Sequence, residues 1–265
     1  MHKNGFFSLL FHLAFVTFIA APLLVVMAMA FTDKGYLSLP TDGLSLRWFR
    51  ALLDNQEMLD AFYLSLKLGL VSASIATLLA IPAAMAISRY EFAGRGALTG
   101  FLLSPLMIPS VVLGIAFLRF FSVAQIGGSF WALAFTHVIV VLPYALRLTL
   151  ASAIGLERDV EQAALSLGAG RWTAFRRVVL PRIRTGVIGG WMLAFIQSFD
   201  ELTMTVFVAT PGTTTLPVAM YNQIAQTIDP LITAVSTVLI VATVLLMFVL
   251  DRLVGLDRVL IGEGK

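Results

Sequence analysis

Asp200 and Glu201 are the residues best placed to do chemistry in this sequence. They follow Gln197 and Ser198 in an otherwise apolar run from about Thr185 to Ala209. An ionised carboxylate at mid-membrane costs on the order of 2.5–3.5 kcal/mol, so such residues face a wet cavity or a partner. On a helix starting at Thr185, with a rise of ~1.5 Å per residue, Asp200 stands roughly 22 Å above the helix start. Successive helical residues point about 100° apart, so the two carboxylates are expected to have different tasks. One task is to line a pathway and offset the charge of a cation that sheds its water, with Gln197 as a polar neighbour. The other is an ion pair with Lys67 or Arg119 from neighbouring apolar runs.

Other chemistry finds little footing. There is no cysteine, which excludes disulfides and thiolate-bound metals. His137 stands alone in an apolar stretch and reads as a buried hydrogen-bonding residue rather than a metal ligand. No phosphate-binding G-x-x-x-x-G-K-[ST] loop occurs, and Gly262–Lys265 has neither the spacing nor a following helix. The chain is therefore expected to be no enzyme, with no catalytic residue, metal site or cofactor of its own.

The elements that must hold these residues are apolar. Of 265 residues, 59% are hydrophobic and 12% charged, and the mean hydropathy is +0.93. A soluble domain carries about 25% charged residues, so this composition calls for lipid as solvent. Spans are expected at about 6–31, 61–87, 97–121, 129–151, 185–209 and 231–254, as one membrane domain over 1–265. The first run is too long for a signal peptide and carries Pro22 as a possible kink. Ser45 is a fair N-cap for a short interfacial helix over Leu46–Leu53 with Trp48 and Phe49. Pro105 and Pro109 interrupt the third span. Pro217 starts a short helix with Val218, Tyr221, Ala225 and Ile228 on one face, and Asp229-Pro230 opens the last span.

The one long polar interruption on its side of the apolar spans is Glu157–Pro181, ERDVEQAALSLGAGRWTAFRRVVLP. Val160, Ala163, Ala164 and Leu167 fall at helical spacing. Gly168 and Gly170 suit the φ > 0 conformations of a turn. Trp172, Phe175 and Val179 restart a helix, and Pro181 marks its boundary. Arg171, Arg176 and Arg177 form its polar face. Such a helix–turn–helix can read DNA, but apolar spans on both sides leave no free domain to reach a duplex.

The stretch resembles the cytoplasmic coupling loop of ABC importer permeases. Their pattern is Glu-Ala-Ala, a Gly four residues on, then an aliphatic residue, one free position and Leu-Pro. Here it is matched by Ala163-Ala164, Gly168, Val178 and Leu180-Pro181. Gln162 stands where the family has Glu, and Glu161 lies one position early. PLMIPSVVLGIA and SFDELTMTVFVATPGTTTLP are similar to segments of spermidine/putrescine-type permeases.

The resemblance implies an all-α membrane protein of six transmembrane helices, with a cytoplasmic helix–turn–helix coupling loop at 157–181 between the fourth and fifth. It implies a permease subunit forming half of the pathway for a small, cationic solute such as spermidine or putrescine, in a bacterial inner membrane. The ATPase-coupling residues would be Glu161, Gln162, Ala163, Ala164, Gly168, Arg171, Leu180 and Pro181. The implied partners are a second homologous permease, two ATP-binding cassette subunits that hold ATP and Mg, and a periplasmic or lipid-anchored solute-binding protein. No nucleic-acid partner is expected. Thirteen of the 18 Lys and Arg residues lie at the termini, the Arg89 turn and Arg147–Arg184, which puts both termini in the cytoplasm. An ion-coupled secondary transporter is the competing class, expected to show inverted repeats and intramembrane ion ligands. Opines or amino-acid derivatives are competing solutes.

Overall fold

The computed structural model describes residues 5–254, and all regular structure there is helical. Lys3, Arg258 and Lys265, which enter the charge census, lie outside the described residues. In chain order the helices are α1 (Phe6–Met29), α2 (Arg47–Asp54), α3 (Gln56–Arg89), α4 (Arg95–Leu103), α5 (Ser110–Ala124), α6 (Phe130–Ile154), α7 (Arg158–Ser166), α8 (Arg171–Ala174), α9 (Leu180–Phe199), α10 (Thr205–Val208), α11 (Leu216–Gln226) and α12 (Leu231–Val254). Among the described residues, Phe7–Met29, Gln56–Arg89, Phe130–Ile154 and Arg171–Phe199 are long and apolar enough to cross a membrane. The bent pair Arg95–Leu106 and Ser110–Ala124 makes a fifth if counted as one span, and Leu231–Leu245 is a shorter apolar segment.

The described residues form two compact units, one from residues 5–59 and 219–254, the other from Asp60–Val218. In the first, α12 packs on α1 and α2. The Phe31 and Phe49 rings lie 5.1 Å apart. Helix α2 begins at Arg47, one residue later than expected, and the Ser45 hydroxyl accepts its N–H at 3.2 Å. Hydrogen bonding to Asp42, then their charge attraction, raises the pKa of Lys34 above the usual lysine value. Asp229 caps α12 by accepting the Leu231 N–H at 3.0 Å.

The second unit is built on small residues. Lipid is as apolar as leucine, so helices associate through close packing rather than hydrophobic contrast. Ala73, Ala76, Ala80 and Ala84 of α3 form a buried stripe against Val138, Val141 and Ala145 of α6 and Ala194 of α9. Two glycines of α9 lie against the backbone of α6. A Cβ on Gly190 would lie 2.8 Å from the Ala145 carbonyl oxygen, and one on Gly186 would lie 2.5 Å from that of Leu148. The third expected span is broken as its prolines require: a 3-10 turn over Ser104–Leu106 precedes a 97° bend into α5.

Four expectations are corrected. Pro181 is no boundary, because the chain is helical from Arg171 to Phe199. A π-helical turn over Phe175–Val179 precedes it, and the wider turn relieves the clash between a proline ring and the carbonyl four residues back. Gly170 has an ordinary φ of −67° and starts α8, so only Gly168 of the pair is left-handed, at φ 90°. The fifth span does not run to Ala209, because α9 ends at Phe199 and a new helical turn starts at Thr205. Helix α11 ends at Gln226, which leaves Ile228 outside it; Val218 is buried whereas Tyr221 and Ala225 are exposed.

Candidate functional site: a helical hairpin and a helix break

The hairpin is α7, a turn, and α8 running into α9. Asp159 and Glu161 lie in the first turn of α7, where negative charge suits the helix dipole. The helix closes with two bonds, from the Gly168 N–H to the Leu165 carbonyl at 3.0 Å and from the Ala169 N–H to the Ala164 carbonyl at 3.1 Å. That pair is the Schellman arrangement, which requires a left-handed residue at Gly168. The expected apolar face divides: Val160 and Ala164 are half-buried, whereas Ala163 and Leu167 are exposed. Gln162, Arg171, Arg176, Arg177 and Pro181 are also exposed, and Leu180 is half-buried. Leu167 and Trp172 expose 89% and 71% of their surface on this polar hairpin, an apolar patch that a partner could cover. Glu161 instead turns inward, with Oε2 3.4 Å from Nη2 of Arg89 at the end of α3.

The helix break separates the two carboxylates. Asp200 is the C-cap of α9 and is exposed. Glu201 is 6% exposed, and its Oε1 accepts the Met204 N–H at 2.7 Å, which closes the turn leading into α10. The expected geometry of two carboxylates on one continuous helix is therefore corrected. Neither carboxylate pairs with Lys67 or Arg119 among the described residues; the Lys67 ammonium lies 4.6 Å from the Phe130 ring centre. Gln197 is half-buried, one turn before Glu201.

His137 spans the break. Its Nδ1 is 2.8 Å from the Ser198 hydroxyl at the end of α9, and its Nε2 is 3.0 Å from the Thr205 hydroxyl at the start of α10. The ring is fully buried. A neutral imidazole has one donor and one acceptor, and the hydroxyls rotate to match either tautomer. Sequence reading foresaw a buried hydrogen-bonding histidine, but no local pattern pointed to its partners. Among the described residues no group of three or more His, Cys, Asp or Glu could hold a metal ion.

The family described as "Binding-protein-dependent transport system inner membrane component" matches residues 76–256. The chain belongs to that family. This permease is 29% identical to the spermidine/putrescine transport system permease protein PotC of Escherichia coli (strain K12) over 256 residues, 97% of this chain and 94% of that protein. It is 30% identical to the putrescine transport system permease protein PotI of the same strain over 241 residues, 88% of this chain and 85% of that one. It is also 30% identical to the putative 2-aminoethylphosphonate transport system permease protein PhnV of Salmonella paratyphi A, over 90% of each chain. A chain of a bacterial ABC transporter involved in import of the polysaccharide alginate shares its fold, with a TM-score of 0.72 at 12% identity, covering 96% of this chain and 98% of that one. The permease is thus an inner membrane component of a binding-protein-dependent transport system, of the PotC type.

Proposed function

We propose that this permease forms half of the translocation pathway for a small polyamine such as spermidine or putrescine. The observation that carries the reading is its likeness to the PotC and PotI permeases over most of its length. In this reading the chain is one membrane domain of six spans, with α4 and α5 as the third and α12 as the sixth. Both termini and the hairpin face the cytoplasm. A second homologous permease completes the pathway, two ATPase subunits bind ATP and Mg beneath it, and a periplasmic or lipid-anchored binding protein delivers solute.

The hairpin docks on an ATPase subunit, with Gln162, Ala163, Ala164, Gly168 and Arg171 at or near the contact, Glu161 beside it, and Leu180 and Pro181 carrying the motion into α9. Asp200 meets the cationic solute, because it is exposed at a helix break, and interrupted helices in membranes are tolerated where they line a cavity. Gln197 assists, and Glu201 shapes the break. The deciding experiment is uptake of radiolabelled putrescine and spermidine by cells whose only polyamine importer contains this permease. Saturable, ATP-dependent uptake is expected, and Asp200→Asn lowers it while leaving assembly intact. Failure of both polyamines to accumulate overturns the solute. The likeness to PhnV makes 2-aminoethylphosphonate the competitor to include in the same assay.

A further inference from the structure

Arg89 ends α3, and its side chain is only 9% exposed. Its Nη1 donates to the Leu156 carbonyl oxygen at 3.4 Å, and its Nη2 faces Glu161 Oε2 at the same distance. Leu156 lies just before α7, and Glu161 lies in the first turn of α7. One guanidinium therefore touches the hairpin on both sides of the point where α7 begins. That fixes where the helix starts and how it is rotated about its axis. Arg89 Nε and Nη2 are buried without a hydrogen-bond partner. A buried cation in that condition depends on its countercharge, so Glu161 and Arg89 hold each other in place.

We infer that Arg89 is a positioning residue, acting through Glu161 to set the angle at which α7 meets the ATPase subunit. The inference rests on the coupling reading of the hairpin given above. It assigns Glu161 to an internal clasp and leaves the docking contacts to exposed residues such as Gln162, Ala163 and Leu167.

The chain has no cysteine, so spin labels can be placed on cysteines introduced at Tyr90 and Leu167, which are 64% and 89% exposed. Electron–electron distance measurements on the full chain in lipid nanodiscs should give a single narrow peak. Arg89→Gln and Glu161→Gln should lose that peak, and the charge swap Arg89→Glu with Glu161→Arg should restore it. In the assembled importer, the single variants should lower putrescine uptake by about tenfold while keeping the ATPase subunit bound. A peak unchanged in Arg89→Gln overturns the inference, and so does a swap that restores neither peak nor uptake. If Arg89→Gln fails to insert, Arg89→Lys, which keeps charge but loses the planar fork, is measured in its place with the same two criteria. A wild-type chain that recruits no ATPase subunit overturns the coupling reading as well, whatever the peaks show.

Discussion

Gly190→Ala tests whether backbone contact between α6 and α9 holds the second unit together. The added Cβ would sit 2.8 Å from the Ala145 carbonyl oxygen and 3.2 Å from its Cα. Both neighbours are backbone, so no side chain can swing away. The helices must separate by roughly 0.6 Å, a gap that forfeits much of the dispersion along the seam. Overpacking of this kind costs about 1–3 kcal/mol. Alanine also gains ~0.8–1.0 kcal/mol over glycine in a helix, which would blur the result if read alone. Gly100 in α4 removes that ambiguity, because its Cβ would meet nothing within 4 Å. Gly100→Ala keeps the propensity gain without the clash, so the two variants should differ in unfolding free energy by about 1–3 kcal/mol. Reversible unfolding of the purified chain in mixed micelles, followed by tryptophan fluorescence, measures the difference. Gly186→Ala should rank beside Gly190→Ala, because its Cβ meets the Leu148 carbonyl and Ser152. If Gly190→Ala proves as stable as Gly100→Ala, the helices are not in backbone contact and the seam is wrongly described.

Glu201→Gln keeps an acceptor for the Met204 N–H and should leave stability nearly unchanged, whereas Glu201→Leu leaves that buried N–H unpaired and should cost about 1–3 kcal/mol. Asp200→Asn, at an exposed cap, should stay within about 0.5 kcal/mol of wild type while uptake of a cationic solute falls; normal uptake removes Asp200 from the pathway. His137→Leu strips both hydroxyls of their partner and should lower stability by about 1–3 kcal/mol in the same unfolding assay, with no change refuting the clamp. Gly168→Val has open space around it, so its cost is conformational, about 1–2 kcal/mol or more for a left-handed L-residue. Uptake should drop while membrane levels hold, and Gly168→Asn should be milder. Cysteines at Arg50 and Gln226, both exposed, should react with an impermeant thiol reagent from outside, and labelling only from the cytoplasm would reverse the proposed orientation.

Much of the helical layout was legible because its causes are local. Apolar runs located the long helices, Pro105 and Pro109 located the bent pair, and the Ala-Ala-x₃-Gly spacing located the hairpin turn at Gly168. Pro181 misleads for an equally local reason. Proline normally ends a helix, and the π turn that absorbs it here gives no clear sign in the preceding residues. The Arg89–Glu161 contact was out of reach because it joins residues far apart in sequence, and only the packing of α3 beside α7 brings them together.

The end of α9 shows where local reading fails at the site itself. Residues 199–204, FDELTM, contain neither Gly nor Pro, so nothing in them stops a helix in isolation. What stops it is one short-range contact and one long-range clamp. Glu201 accepts the Met204 N–H with its side chain, while His137, from α6, holds Ser198 on one side of the gap and Thr205 on the other. A side chain that caps a backbone N–H competes with helical hydrogen bonding at that point, and the histidine fixes both flanks so the chain cannot reclose. The consequence is functional. A continuous helix would have carried Asp200 and Glu201 a fraction of a turn apart, as two similar anionic points. The break instead commits Glu201 to the backbone and leaves Asp200 exposed, so two adjacent carboxylates of the same charge become a structural cap and a candidate contact for a cation. Their division of labour is set by a residue more than sixty positions earlier in the chain, which is why the order of the two letters in the sequence does not reveal it.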